Sequence, residues 1–305
     1  AELSEVDPAH TGLVGVAWSA LQSTPGNLEA KQISADPRWA ALFARWYTRA
    51  GLREGQRVGI AASGSFPALL LSARAAAEEL RLEPVVVASL TASNHGATVE
   101  SFDSWDIEQS LLGTELLRVP VALWTPGGGN DRAEFLEGGD RAFVLRRLDE
   151  MASQGAPVAQ PRGLAQSIAL REGLLRDAAL VVNIGGNASN YGSGEEALAF
   201  PRGLTMPADG AALVAQGGPL SGGDSAAHRA LRAGKPVLHV LAIKPLAEAE
   251  GLGPATRVED LFAQPTRFSR LLALLAAAGL VAATLSPSTR QRLPRPYTPP
   301  QDALA

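Results

Sequence analysis

The stretch from Arg57 to Leu90 constrains this chain most. An apolar run, Arg57–Ala62 (RVGIAA), leads into Ser63-Gly64-Ser65-Phe66-Pro67, a helical stretch over Ala68–Leu80, and a second apolar run, Pro84–Leu90 (PVVVASL). Strand, helix and strand within about 30 residues predict a βαβ unit with a right-handed parallel crossover. Pro67 suits the first helical turn, and Ser63 or Ser65 is placed to cap it. The pattern recurs downstream, with apolar strands at Pro120–Trp124, Ala179–Ile184 and Pro236–Ile243, each bordered by loops rich in Gly, Ser or Asn. Helical patterns cover Pro37–Ala50, Ala142–Ala152, Leu164–Asp177, Ser225–Ala233 and Gln264–Ala278, and another opens at Phe102–Glu108 and runs through Leu117. Leu13–Ser19 (LVGVAWS) reads as an additional short strand. The expected fold is α/β, a mostly parallel sheet of about five or more strands with helices on both faces, of Rossmann-like type.

Two α/β halves, residues 1–155 and 156–285, or one continuous domain, precede a Pro-rich extended tail at 286–305. With 46% hydrophobic and 19% charged residues among 305, the chain carries ample core. The apolar run Leu271–Leu285 is shorter than the roughly 20 residues of a spanning helix. It reads as a buried helix, with membrane contact as the alternative. A net charge of −4 argues against a nucleic-acid partner. The absence of cysteine excludes disulfides, thiol catalysis and Cys-ligated zinc. Ala1-Glu2-Leu3-Ser4 resembles the residues that follow a signal-peptidase cut, so the expected location is extracytoplasmic, exported or membrane-anchored.

In open parallel sheets ligands bind beyond the carboxyl ends of the strands. The loops after Ala62, Leu90, Trp124 and Ile184 should therefore share one rim. The Ser63-Gly64-Ser65 loop is the best anion site, because backbone N–H groups and a helix dipole converge there. It is neither a Walker loop nor GxGxxG, and no cofactor is expected. Asn94, Asn187 and Ser189 could add hydrogen bonds to a polar ligand, although Asn and Gly are also ordinary turn residues. A nucleophilic arrangement would use Ser63 or Ser65, with His95 as base and Asp103 or Asp106 as its orienting partner. A metal site could draw on His95, Asp103, Asp106 and Glu108, but the acidic spacing equally suits a helix start. Of the other histidines, His239 reads as a core residue and His228 as solvated on a helix.

Several stretches together carry a resemblance. Thr11–Lys31, Val58–Ala73 (VGIAASGSFPALLLSA), Asn94–Glu108, Val181–Gly186 and Ala233–Gly251 (AGKPVLHVLAIKPLAEAEG) resemble the bacterial poly-γ-glutamate system protein family, PgsW. The resemblance implies an envelope-associated protein, with envelope or membrane protein partners, that acts in poly-γ-glutamate synthesis, export or anchoring. Two functional readings follow. One is an accessory that binds a small anionic or γ-glutamyl ligand at the rim. The other is a hydrolase or transferase of γ-glutamyl amides with a Ser/His/carboxylate site. A nucleotide or sugar-phosphate binder is a third class, on fold analogy alone.

Overall fold

The structure, a computed structural model, describes residues 3–253 and 256–261. The helix expected at 264–278, the apolar run at 271–285 and the tail at 286–305 lie outside the described residues. Six strands form one sheet: β1 (Arg57–Ser63), β2 (Glu83–Ser89), β3 (Leu123–Thr125), β4 (Leu180–Ile184), β5 (Gly203–Thr205) and β6 (Val237–Val240). Their order is β3-β2-β1-β4-β6-β5. Every pairing is parallel except that of the edge strand β5 with β6. This is the expected α/β architecture, and strands from both sequence halves contribute to the same sheet.

The strands are apolar on both faces because helices cover both, as a parallel sheet requires. Side chains alternate across a strand. Val58, Ile60 and Ala62 therefore join Val86, Val182 and Leu238 in one core, while Ala61 joins Val87, Val181 and Val237 in another. The first core takes Phe43, Trp46 and Tyr47 from α2 (Trp39–Arg49), Leu69 and Ala73 from α3 (Pro67–Glu79), and Val144 and Leu148 from α5 (Gly138–Ser153). The Tyr47 hydroxyl donates to the Ala73 carbonyl at 3.0 Å and ties α2 to α3. The second core takes Leu175 from α6 (Leu164–Leu175) and Leu231 from α7 (Ala226–Arg232). Among the described residues no helix is long and apolar enough to cross a membrane.

Leu13–Ser19 is not a strand. Its backbone-to-backbone bonds with the loop after β2 are Gly15 N–H to His95 O (3.2 Å) and His95 N–H to Val16 O (3.0 Å), and no ladder extends from them. The short strand in this region is Gln22–Thr24, parallel to Ala92–Ser93. It leads into α1 (Leu28–Ser34), which Asn27 caps by accepting the Ala30 N–H at 2.9 Å. The helix α4 spans Ser104–Leu111 and stops short of Leu117. The last apolar run, expected to continue to Ile243, leaves the sheet at Val240. Ala242 adopts a left-handed conformation (φ 51°), and α8 (Ile243–Ala249) begins there.

Candidate functional site

The strand order reverses between β1 and β4, since β1 is followed on one side by β2 and β4 on the other side by β6. The crevice at such a reversal is where open α/β sheets bind ligands. Its walls are the Ser63–Phe66 loop and the Gly185–Asn187 loop. They touch: a Cβ built on Gly185 would lie 2.6 Å from Ser63 Oγ, and Gly185 has φ +81°. Only glycine fits that approach without strain. The loop after β2 closes a third side. The Gly64 N–H donates to Thr91 O at 3.1 Å and its carbonyl accepts the Ala97 N–H at 2.8 Å.

Neither Ser63 nor Ser65 caps α3, contrary to the sequence expectation; its N-cap residue is Phe66, with no side-chain cap. Ser65 Oγ instead accepts the Ser93 N–H at 3.0 Å. Beneath these serines lies Lys31, on the inward face of α1 and 2% exposed. Its Nζ donates to Ser93 Oγ at 2.7 Å and to the Ser65 carbonyl, and sits 3.9 Å from the centre of the Phe66 ring. No carboxylate pairs with it among the described residues, and burial lowers its pKa to about 7. Sequence reasoning missed Lys31. The available signal was its place on the helix face that also carries Ser34, three residues on, where a buried residue belongs.

The residues expected to form a triad have other partners. His95, with φ +61°, turns Nδ1 to the Gly15 carbonyl at 3.1 Å. Asp103 caps α4 in a capping box with Asp106, and its Oδ2 accepts from Arg147 Nε at 2.7 Å. Burial raises the Asp103 pKa more than Arg147 lowers it. No hydrogen bond among the described residues joins Ser65, His95 and Asp103. The alternative metal set disperses likewise. Asp106 pairs with Arg147 at 2.7 Å, and Glu108 forms a buried ion pair with Arg74 and accepts the Val121 N–H at 2.8 Å. Among the described residues no three His, Asp or Glu side chains gather as metal ligands.

The binding candidates after β2 and β4 are largely occupied in holding loops. Asn94 Oδ1 accepts from Gly26 N–H at 3.0 Å, and its Nδ2 donates to the Ala17 carbonyl. Asn187 Nδ2 donates to Ser89 Oγ at 3.0 Å, and its Oδ1 accepts the Ser189 N–H at 2.9 Å. Ser189 Oγ and Ser104 Oγ, both buried, have no partner among the described residues. Ser63, Gly64, Pro67, Ser89 and Ser104 line a cavity of about 20 Å³, room for one water.

A second polar network was not legible in the sequence. Asp131, in the loop after β3, accepts from Thr125 Oγ1 (2.8 Å), Gly127 N–H (2.9 Å) and Ser167 Oγ (2.6 Å), and forms an ion pair with Arg171 at 2.8 Å. Arg171 Nε donates to Asn190 at 2.6 Å, so the loops after β3 and β4 are stitched to α6. His228 is also a correction. It is fully buried, with Nδ1 2.7 Å from Ser225 Oγ and its ring edge-on to Phe200. His239 lies in the core as expected, stacked near Tyr191 and Phe200 with Nδ1 2.8 Å from Asn183 Nδ2. Burial lowers both histidine pKa values to about 4.

Comparison with family models, curated proteins and solved structures finds no match for this chain. The fold and the site together define its class, a doubly wound α/β protein with a serine-rich crevice at the strand-order reversal.

Proposed function

We propose that this chain is an envelope-associated accessory of poly-γ-glutamate synthesis or export that binds a γ-glutamyl or similarly small anionic ligand at the switch-point crevice. The resemblance to the PgsW family supplies the pathway. What supports an anion in particular is the uncapped positive end of α3, with the buried, unpartnered Ser104 Oγ lining the one-water cavity beside Gly64, where a single carboxylate oxygen would take the water's place. Ser63 and Ser65 add hydroxyls at the same turn. A net charge of −4 gives no long-range attraction, so recognition rests on these local groups.

Calorimetry with γ-linked glutamate oligomers, against α-linked oligomers of equal length, tests this. Binding heat is expected for the γ-linked series alone. Ser104→Ala should weaken it about tenfold, the value of one hydrogen bond to a charged group. Silence from both series would discard the ligand, and equal heats would discard the γ-glutamyl assignment.

The hydrolase alternative needs a base beside a serine. His95 faces the Gly15 carbonyl; beside the crevice loops the basic group that reaches a serine hydroxyl is Lys31, whereas His228 meets Ser225 at the start of α7.

A further inference from the structure

We infer that Ser93 and Lys31 form a serine–lysine catalytic pair for acyl transfer from an amide, and the substrate class, a γ-glutamyl amide, rests on the function proposed above. The geometry comes first. Lys31 Nζ is 2.7 Å from Ser93 Oγ, within the reach required of a general base and its nucleophile. Ser93 is half-buried on the loop after β2, at the rim where ligands enter such sheets. Its backbone N–H is fixed by Ser65 Oγ. Exposed Gly26 packs beside it: a Cβ there would meet the Asn94 carbonyl oxygen at 2.6 Å and Ser93 Oγ at 3.0 Å, so only glycine fits against this turn without pressing on the hydroxyl.

The chemistry of the lysine agrees. A lysine buried for structure alone is ordinarily paired with a carboxylate, because an unpaired buried charge is costly. Around this Nζ are the Ser65 carbonyl, the Ser93 hydroxyl and the Phe66 ring. Glu29 on the same helix is engaged by Lys244 of α8, near which Glu248 also lies, and His95 on the facing loop binds the Gly15 carbonyl. Burial lowers its pKa to about 7, which brings the neutral, proton-accepting amine within reach near neutral pH.

In the first step Ser93 Oγ attacks the amide carbonyl carbon while its proton passes to neutral Nζ. The C–N bond then breaks, Nζ–H returns the proton to the departing amine, and a Ser93 ester remains. In the second step a water attacks the ester carbon and gives its proton to Nζ. The C–Oγ bond breaks, Oγ regains that proton, and the free acid leaves. An amine in place of water completes a transfer by the same route.

The test uses the whole chain and a fluorophosphonate, which phosphonylates activated serines with loss of fluoride and without needing the natural substrate. A single adduct is expected on Ser93 by peptide mass mapping, with a labelling rate that rises through a midpoint near pH 7. Ser93→Ala should abolish it. Lys31→Met, shown folded by its melting curve, should slow it about 100-fold or more. The pH profile of the unaltered protein stands even where a variant fails to fold. Labelling of a different serine, or a Ser93 rate that is flat between pH 5.5 and 8.5, would overturn the pair. No adduct from a protein that still binds γ-linked oligomers would overturn catalysis and leave the ligand standing. A Ser93 adduct from a protein that ignores those oligomers would support the pair and remove the γ-glutamyl substrate class.

Discussion

Lys31 makes the protein less stable than an apolar residue at the same place would, and pH reveals by how much. Its pKa is about 7 in the folded chain against an ordinary 10.5, so the unfolded chain binds more protons between those values. Stability must then rise with pH across that window and lack this contribution below it. Lys31→Met should stabilise by roughly 1–3 kcal/mol at pH 6 and flatten the rise towards pH 10, the pattern of a group kept for function. Urea melts of both proteins at pH 6 and 9.5 measure it; an unchanged slope in the variant would refute the assignment. His228 and His239 act at the acid end. Their pKa values near 4 lie below the ordinary 6.5, so the stabilisation they carry is complete above about pH 6.5 and lost as pH falls towards 4. His239→Gln should shrink the acid loss by up to about 3 kcal/mol, read as the change in urea stability between pH 7 and 4.5.

At the scale of elements, the contact of two loops decides the crevice. Gly185→Ala places a methyl against Ser63 Oγ at a positive φ, and should cost about 1–3 kcal/mol by chemical denaturation. A neutral substitution there would mean the two loops do not touch. The strands of this layer were readable in advance because β1, β2 and β4 are buried on both faces and so appear as unbroken apolar runs. The same rule misled at two other apolar runs. LVGVAWS has the composition of a strand, yet Gly15 and Val16 meet the His95 segment through only two backbone hydrogen bonds. VLHVLAI reads as one run although Ala242 turns the chain into α8. Edge strand β5 has three residues, too few to show a period.

Across the molecule's rim, the loops after β3 and β4 are joined to α6 by the Asp131–Arg171 pair, both side chains fully buried. Asp131→Ala should destabilise by about 3–5 kcal/mol, because it strands a buried guanidinium. Adding Arg171→Met should recover much of that loss; a double variant no more stable than Asp131→Ala would contradict the reading of this pair. That the loops after Ala62, Leu90, Trp124 and Ile184 lie along one edge was legible, since strand direction alone places them there. The partners were not. Lys31 reaches Ser93 and Ser65 across 62 and 34 residues of sequence, and only tertiary packing brings an amine from α1 under the loops of β1 and β2. The most direct measurement of that arrangement is an NMR pH titration of the lysine side-chain amines. The chain has three lysines, Lys31, Lys235 and Lys244, so one Lys31→Met spectrum assigns the signal. A Lys31 midpoint near pH 7 is predicted, and one near 10.5 would contradict the account.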